Sequence, residues 1–360
     1  MRRLLLLAGI AAISASTAAI KTSDMISHDA SQLPLLGTLA PDAEKAYSRL
    51  PDSLHGTIRD ELWNLGLNSA GLAIRFSSDA SAIGARWTAL NRFNMNHMTP
   101  TGIRGLDLYV LQEDSTWTTV ASGRPSLNSK TTSAMIMEDM EPKMREYMLY
   151  LPLYDGVDSI YILTDSAARV LPPGINLPKR EKPMVMYGTS ILQGGCANRP
   201  GMAHTSILER MFNREVVNLG FSGNARLDPE IARVMASADA SVFVIDPLPN
   251  CTAQLLDEKL AAFVAILREK HPAVPILLVE SPMFPAHRFN REVDSTLREK
   301  NRVCRKIYDE LRKSDANLHY MSSEELGIGV ESSVDNYHLT DLGFSQFAEA
   351  MQRKLETILR

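Results

Sequence analysis

A proline-rich segment, residues 171–183, separates two parts of the sequence that have different hydrophobic periods. Before it, short stretches alternate apolar and polar residues, and turn-forming residues separate them, which is typical of an antiparallel β-sandwich. After it, short apolar runs alternate with stretches whose apolar residues recur at helical spacing. That second pattern is typical of a doubly wound parallel sheet with helices on both faces. The 360-residue chain is therefore predicted to form two domains of different kinds.

The predicted strands of the first domain are short and follow one another closely, at residues 72–76, 83–88, 106–112, 117–121, 134–137, 145–153 and 159–163. The predicted strands of the second domain are mostly apolar runs of the buried type, at residues 184–187, 215–219, 241–245 and 275–279. Helices are expected between and after them, because apolar residues fall on one helical face in residues 256–267 and 344–355.

The N-terminus has the pattern of a secretory signal peptide. Arg2 and Arg3 precede an apolar stretch over residues 4–13, and small residues follow as far as Ala19. A membrane-spanning helix needs about 20 apolar residues, so the short run favours a cleavable signal over a membrane anchor. Cleavage is expected after Ala18 or Ala19, which makes residues 1–19 the signal peptide. The mature protein is expected to be soluble and exported, to the periplasm or the extracellular space.

The composition is that of an ordinary globular protein, with 45% hydrophobic and 22% charged residues. The formal net charge is −4, and no block of basic residues stands out. Because nucleic-acid-binding proteins normally carry a basic stripe, no nucleic-acid partner is expected. The chain has three cysteines and no C-x-x-C pair, which excludes a disulfide scaffold and disfavours a structural zinc site.

Polar residues and glycines follow the predicted strands of the second domain, where doubly wound sheets carry their chemistry. Ser190 follows the first strand, Gly223 the second and Asn250 the third. Each has a structural alternative, since serine and asparagine cap helices and glycine serves tight turns. Near the C-terminus, Asp335 precedes His338 by a spacing that lets a carboxylate orient an imidazole. No second histidine stands at ligand spacing, which disfavours a metal site there.

These loops carry a resemblance to a known family. The second half, over residues 183–360, resembles the SGNH hydrolases, also called the GDSL family, which are named for blocks that carry Ser, Gly, Asn and His. Ser190, Gly223, Asn250 and the pair Asp335 and His338 match those blocks in order and in strand context. Two differences are visible: the first block reads G-T-S rather than G-D-S, and the third reads D-P-L-P-N rather than G-x-N-D.

The first half carries a second resemblance, in the string Gly105–Tyr109. It is similar to the G-x-D-L-Y signature of the β-sandwich domain that precedes the hydrolase in one bacterial subgroup. Together the resemblances imply a jelly-roll-like β-sandwich at 30–175, a linker at 176–183 and a flavodoxin-like hydrolase domain at 184–360. For that subgroup they imply esterases that act on acylated carbohydrates, often acetylated plant polysaccharides or oligosaccharides.

The family resemblance also implies roles for the matched residues. Ser190 is expected to be the nucleophile, His338 its base, and Asp335 the residue that orients the imidazole. The oxyanion is expected to be bound by the backbone N–H groups of Ser190 and Gly223 and by the side chain of Asn250. No metal and no cofactor are implied, and the expected partner is an acylated carbohydrate substrate.

Further residues are weaker candidates for the site. Arg199, in the loop after the nucleophile, is a candidate contact for a sugar hydroxyl, with a surface salt bridge as the alternative. His97 precedes the G-x-D-L-Y string and is a candidate to reach the site from the first domain, with a structural histidine as the alternative. Cys196 and Cys251 each stand beside a catalytic loop, so a disulfide between them is a further hypothesis.

Two other functions are compatible with these motifs. One is a thioesterase or lipase that acts on lipids, although the chain has no obvious amphipathic lid. The other is a carbohydrate-binding protein whose hydrolase domain is inactive, although each catalytic position holds a competent residue. The sequence leaves open which sugar carries the ester, the acyl-chain preference, the role of the β-sandwich and the oligomeric state.

Overall fold

A computed structural model describes residues 20–40, 43–44 and 47–359. The predicted signal peptide, residues 1–19, lies outside the described residues. Within the described part of the chain, no helix is both long enough and apolar enough to cross a membrane.

The first domain is a sandwich of two antiparallel sheets. Its strands, in chain order, are β1 Ile26–Asp29, β2 Leu35–Leu36, β3 Ala73–Ser78, β4 Ile83–Ala89, β5 Leu106–Leu111, β6 Trp117–Gly123, β7 Thr131–Met137, β8 Arg145–Tyr150, β9 Val157–Thr164 and β10 Val170–Leu171. One sheet has the order β1-β9-β4-β7, and the other has β10-β3-β8-β5-β6 with β2 paired to β3. Side chains such as Phe76, Trp87 and Tyr147 fill the space between the sheets and are almost fully buried. The predicted β-sandwich is therefore confirmed.

The second domain is built on a parallel sheet. Its strands are β11 Lys179–Gly188, β12 Arg214–Gly220, β13 Val242–Asp246, β14 Ile276–Val279 and β15 Leu318–Met321. They lie in the order β12-β11-β13-β14-β15. Counted within this domain, the order is 2-1-3-4-5, which is that of flavodoxin-like folds. The predicted doubly wound parallel sheet is therefore confirmed.

Helices cover both faces of the parallel sheet. Two short helices precede it in the chain, α1 Asp60–Gly66 and α2 Pro100–Arg104, and the others follow its first strand: α3 Ser190–Gln193, α4 His204–Phe212, α5 Pro229–Met235, α6 Ala253–Lys270, α7 Arg291–Leu311, α8 Ser323–Leu326 and α9 Asp341–Ile358. Two separate buried clusters result. One lies between the sheet and α5, α6 and α7, and the other between the sheet and α4 and α9.

The expected linker at 176–183 is mostly regular structure. Strand β11 begins at Lys179, so residues 179–183 extend a strand of the second domain. The segment before it is bound to β3 of the sandwich, because Arg75 donates to the backbone oxygens of Ile175 and Leu177. The chain therefore passes between the two domains with little free length.

The two domains also share a core. Leu50 and Leu62, from the part of the chain assigned to the sandwich, are fully buried in the cluster on the α6 face of the parallel sheet. The buried guanidinium of Arg49, from the same part of the chain, donates to the backbone oxygens of Asn218, at 3.0 Å, and Gly220, at 2.8 Å, at the end of β12. Burial lowers the pKa of Arg49 to about 9, so the side chain remains cationic at neutral pH.

The register of the parallel sheet places the loops that follow β11, β12 and β13 side by side. Gly188 of β11 is paired with Gly220 of β12 on one side and with Asp246 of β13 on the other. The chain therefore leaves these three central strands at the same level of the sheet. The loops that carry Ser190, Gly223 and Asn250 start from that shared edge.

Candidate active site

Ser190 is the first residue of α3, directly after the turn that ends β11. The helix is capped by its neighbour, because Thr189 Oγ1 accepts a hydrogen bond from the backbone N–H of Ile191 at 3.3 Å. Ser190 is therefore not the capping serine of the structural alternative. Its hydroxyl is 3.0 Å from Nε2 of His338 instead.

Ser190, His338 and Asp335 form one hydrogen-bonded chain. Nδ1 of His338 is 2.8 Å from Oδ2 of Asp335, while Nε2 faces the serine hydroxyl. The other carboxylate oxygen, Oδ1, accepts the backbone N–H groups of Tyr337, at 3.0 Å, and His338, at 2.7 Å. Burial raises the pKa of Asp335, but these hydrogen bonds outweigh it and hold the pKa below its ordinary value. The carboxylate is thus ionised at neutral pH and fixes the proton of the imidazole on Nδ1.

The loop that carries His338 is packed against the loop that carries Asn250. The hydroxyl of Tyr337 donates to the backbone oxygen of Pro249 at 2.9 Å. The ring of Tyr337 also stacks on Phe284, with 4.4 Å between the ring centroids. These contacts hold the imidazole in place relative to the loop that follows β13.

Gly223 and Asn250 lie in the loops that follow β12 and β13, the two strands that flank β11. Gly223 has a φ of +68°, in the left-handed region that favours glycine, and a side chain there would meet open space. Oδ1 of Asn250 accepts the backbone N–H of Ala225 at 3.2 Å. Because an amide places its oxygen and nitrogen on opposite branches, this contact leaves Nδ2 of Asn250 to donate to a ligand.

Two residues outside the predicted site, Gly195 and Tyr154, hold the backbone of Ser190 in place. The backbone oxygen of Ser190 accepts the N–H of Gly195 at 2.7 Å and the hydroxyl of Tyr154, from the first domain, at 3.3 Å. A side chain at Gly195 would come within 3.0 Å of the His338 ring. A tyrosine in the loop between β8 and β9 gives no local signal of such a role, and only the packing of the two domains reveals it.

Arg199, the candidate contact for a sugar hydroxyl, forms a salt bridge with the first domain. Its Nη1 lies 2.6 Å from Oδ2 of Asp107 and 2.6 Å from the hydroxyl of Tyr109. The side chain is half-buried in this salt bridge, which was the structural alternative. It joins the loop after α3 to the G-x-D-L-Y string of the first domain.

His97 does reach the site from the first domain. Its Nε2 is 3.9 Å from Oδ2 of Asp335, and its ring centroid is 5.6 Å from that of His338. About one third of its side chain is exposed. A second histidine thus stands beside the first although it is far away in the sequence, which is why ligand spacing alone could not find it.

The hypothesis of a disulfide between Cys196 and Cys251 is wrong for this structure, in which both residues are free cysteines. Cys196 belongs to the buried cluster on the α4 and α9 face of the parallel sheet, and Cys251 to the cluster on the opposite face. The sheet separates them. Burial, with a contribution from Asp335, raises the pKa of the Cys196 thiol to about 12.

A cavity of about 290 Å³ lies between the first domain and the loop after β12, where Ser222 and Asn224 flank Gly223. Tyr154, which contacts Ser190, forms part of its wall. The rest of the lining is rich in amide side chains and includes three exposed or half-exposed apolar ones; it comprises Glu61, Asn64, Leu65, Asn68, Asn91, Phe93, Met95, Ser222 and Asn224.

Comparisons with known proteins agree with this architecture. The family described as GDSL-like Lipase/Acylhydrolase matches residues 181–356, and the one described as the N-terminus of Esterase_SGNH_hydro-type matches residues 25–170. No curated protein matches the chain.

Three solved structures illustrate the likeness. A GDSL-like lipase from Bacteroides ovatus ATCC 8483 is 31% identical, covers 93% of this chain and 98% of its own, and has a TM-score of 0.88. The salicylyl-acyltransferase of a tetracycline biosynthetic pathway is 19% identical, with coverages of 94% and 99% and a TM-score of 0.76. A family two carbohydrate esterase from Cellvibrio japonicus is 11% identical, with coverages of 93% and 97% and a TM-score of 0.58. The last two share the fold. Because the first is similar over nearly the whole of both chains, this protein belongs to the GDSL-like lipase/acylhydrolase family, with an N-terminal domain of the G-x-D-L-Y type.

Proposed function

We propose that this protein is an exported serine esterase that removes acyl groups, above all acetyl groups, from carbohydrates. The observation that carries the proposal is the hydrogen-bonded chain from the Ser190 hydroxyl through His338 to Asp335, with distances of 3.0 Å and 2.8 Å. A serine hydroxyl is a weak nucleophile until a base takes its proton. In the hydrogen-bonded chain, His338 supplies the base and Asp335 supplies the carboxylate that orients it.

In the first half of the proposed reaction, the Ser190 oxygen attacks the ester carbonyl while Nε2 of His338 takes the hydroxyl proton. Asp335 keeps the imidazole in the required tautomer and stabilises the imidazolium that forms. His338 then gives the proton to the departing sugar oxygen. The acyl group remains on Ser190 as an ester.

The negative charge on the tetrahedral intermediate is bound by the backbone N–H groups of Ser190 and Gly223 and by Nδ2 of Asn250. In the second half, a water molecule attacks the acyl-enzyme, with His338 again as the base. The acid leaves and the serine hydroxyl is restored.

The cavity beside the loop that carries Gly223 supports a carbohydrate as the alcohol part of the ester. Its wall combines amide side chains, which exchange hydrogen bonds with hydroxyl groups, with the exposed ring of Phe93. The resemblance to the two-domain esterase subgroup points to the same substrate class. The family two carbohydrate esterases that share the fold fit this proposal.

The proposal includes export under the direction of residues 1–19. Mass spectrometry of the protein recovered outside the cytoplasm is expected to show a chain that begins after Ala18 or Ala19. Recovery of the full-length chain in the cytoplasm alone would contradict this part of the proposal.

The main test is acetate release from acetylated xylan, mannan, pectin and simple acetyl sugars, alongside esters of long acyl chains. Acetyl sugars are expected to be cleaved faster than long-chain esters; the reverse order would favour a lipase or thioesterase.

Ser190→Ala is expected to abolish turnover and to leave the fold intact. Ser237→Ala is the matched control, because that hydroxyl only bonds the backbone oxygen of Val234 within its own turn. An organofluorophosphonate should add its mass to Ser190, and binding of sugar without labelling would indicate an inactive binding protein.

A further inference from the structure

Three side chains that can bind a metal ion meet beside the proposed triad. A ring nitrogen of His97, a ring nitrogen of His338 and Sγ of Cys196 all lie within 4.8 Å of one another. They come from three separate parts of the fold: the first domain, the loop before α9 and the loop after α3. We propose that these three residues form an inhibitory site for a thiophilic divalent cation, of which zinc is the best match.

The donor set fits zinc by its chemistry. Zinc prefers imidazole nitrogen and thiolate sulfur, and sites with three protein ligands leave a fourth position for water. The hydrogen bond between Nδ1 of His338 and Asp335 is the kind of outer contact that commonly orients a metal-binding histidine. Harder cations such as magnesium and calcium prefer oxygen ligands, so they are not expected to bind.

Cys196 is placed for this role and has none in the proposed esterase reaction. It adopts a φ of +74°, in the left-handed region that residues with a side chain rarely occupy. It directly follows Gly195, whose backbone lies against both Ser190 and the His338 ring. When the cation binds, the sulfur–metal bond forms and the thiol proton is released to solvent.

Occupancy of the site would stop catalysis. His338 uses one ring nitrogen toward Ser190 and the other toward Asp335. The nitrogen that binds the cation can no longer make its hydrogen bond to Ser190 or to Asp335, so the hydrogen-bonded chain is broken. The inhibition should be reversible, because a chelator that removes the cation restores both contacts.

The test is a zinc titration of the full chain, with hydrolysis of an activated acetate ester as one readout. Zinc is expected to inhibit the wild type, and ethylenediaminetetraacetate to restore its activity. Cys196→Ser and His97→Gln should each raise the zinc concentration for half inhibition about tenfold or more, since loss of even an outer contact commonly costs 10- to 100-fold in affinity. Cys251→Ser and His55→Gln are the matched controls, since they remove a buried thiol on the opposite face and an exposed histidine.

A second readout does not depend on activity. Calorimetric titration of zinc into Ser190→Ala should show one site, and the same titration into Cys196→Ser should show affinity reduced about tenfold or more. This measurement tests zinc binding even if the protein proves not to be an esterase. Equal zinc affinity in wild type, Cys196→Ser and His97→Gln would overturn the proposal. So would the absence of any zinc binding to the wild type.

Discussion

The guanidinium of Arg199 lies 2.6 Å from the carboxylate of Asp107, which is fully buried in the first domain. The same carboxylate oxygen accepts the backbone N–H of Gly201 at 2.9 Å. A side chain at Gly201 would come within 2.6 Å of that oxygen and of the hydroxyl of Tyr109. Asp107 and Tyr109 are the polar residues of the G-x-D-L-Y string. The string therefore anchors the loop that follows the proposed nucleophile.

Removal of this salt bridge is expected to destabilise the protein. Burial raises the pKa of Asp107, and Arg199 opposes that shift, so Arg199→Ala leaves a buried carboxylate without its cation. Such losses cost about 3–5 kcal/mol in fully buried pairs. Because the N–H of Gly201 remains, we expect a smaller loss of about 2–3 kcal/mol in the free energy of unfolding, measured by urea denaturation.

The control for this prediction is Arg302→Ala, which removes an exposed salt bridge to Glu299. Exposed pairs contribute less than about 1 kcal/mol. Equal effects of the two substitutions would show that the contact between Arg199 and Asp107 does not stabilise the junction.

Asp335→Asn is expected to lower kcat about 10⁴-fold without unfolding the protein. The carboxylate accepts the proton on Nδ1 of His338 and so leaves Nε2 free to act as the base. An asparagine favours the wrong tautomer, and that is the scale of loss known for a triad of this kind. Steady-state kinetics with an activated acetate ester would measure it. Asp341→Asn is a matched control, because that carboxylate contacts Asn198 and no member of the triad. A loss of only a few-fold in Asp335→Asn would argue against the proposed role.

Asn250→Ala is expected to lower kcat about 10²- to 10³-fold, with little change in KM, because one oxyanion donor is removed. The alanine also leaves the backbone N–H of Ala225 without its acceptor. Asn250→Asp separates the two effects, since it keeps that acceptor and lacks the Nδ2 donor. It should therefore be as inactive as Asn250→Ala while retaining more of the wild-type stability. An active Asn250→Asp protein would rule out the amide as a donor.

Glu209 gives a prediction about pH. It is buried where α4 meets the sandwich, with Oε2 2.7 Å from the hydroxyl of Tyr150 and Oε1 3.1 Å from the backbone N–H of Val216. Burial raises its pKa from 4.5 to about 8, so the folded protein holds a proton that the unfolded chain releases above pH 4.5. The stability contributed by this proton is complete below pH 4.5 and is lost as the pH rises toward 8.

Glu209→Gln has no such proton. Urea denaturation at several values between pH 4.5 and 8 should show wild type losing stability relative to the variant as the pH rises. Glu299→Gln, at an exposed position, should follow the wild type. Parallel curves for wild type and Glu209→Gln would contradict the raised pKa.

Local patterns predicted most of the fold, and the exceptions have physical reasons. Alternation of apolar and polar residues located strands such as Ile83–Ala89 to within a residue or two. Strand Leu318–Met321 was not predicted, because it is short and His319 interrupts its apolar run. The first residues of Lys179–Gly188 are charged and exposed, so their pattern indicates a linker although they extend a strand.

The candidate site likewise has features that the sequence predicts and features that only the structure reveals. The loops with Ser190 and His338 could be predicted, because the order of strands in a parallel sheet brings the ends of those strands together. The contact of Tyr154 with Ser190 could not, because it depends on how the two domains pack. The catalytic roles themselves stay predictions until the substitutions above are measured.

The buried contacts of Arg49 have a consequence for how this protein can be divided. A fragment that starts at the proline-rich segment would lose Leu50 and Leu62 from its core and leave two strand-end carbonyls without their cation. The catalytic half is therefore not an independent folding unit, and the sequence boundary is not a place to cut. The two domains must therefore be expressed together, and a chimaeric protein would have to take both domains from the same parent.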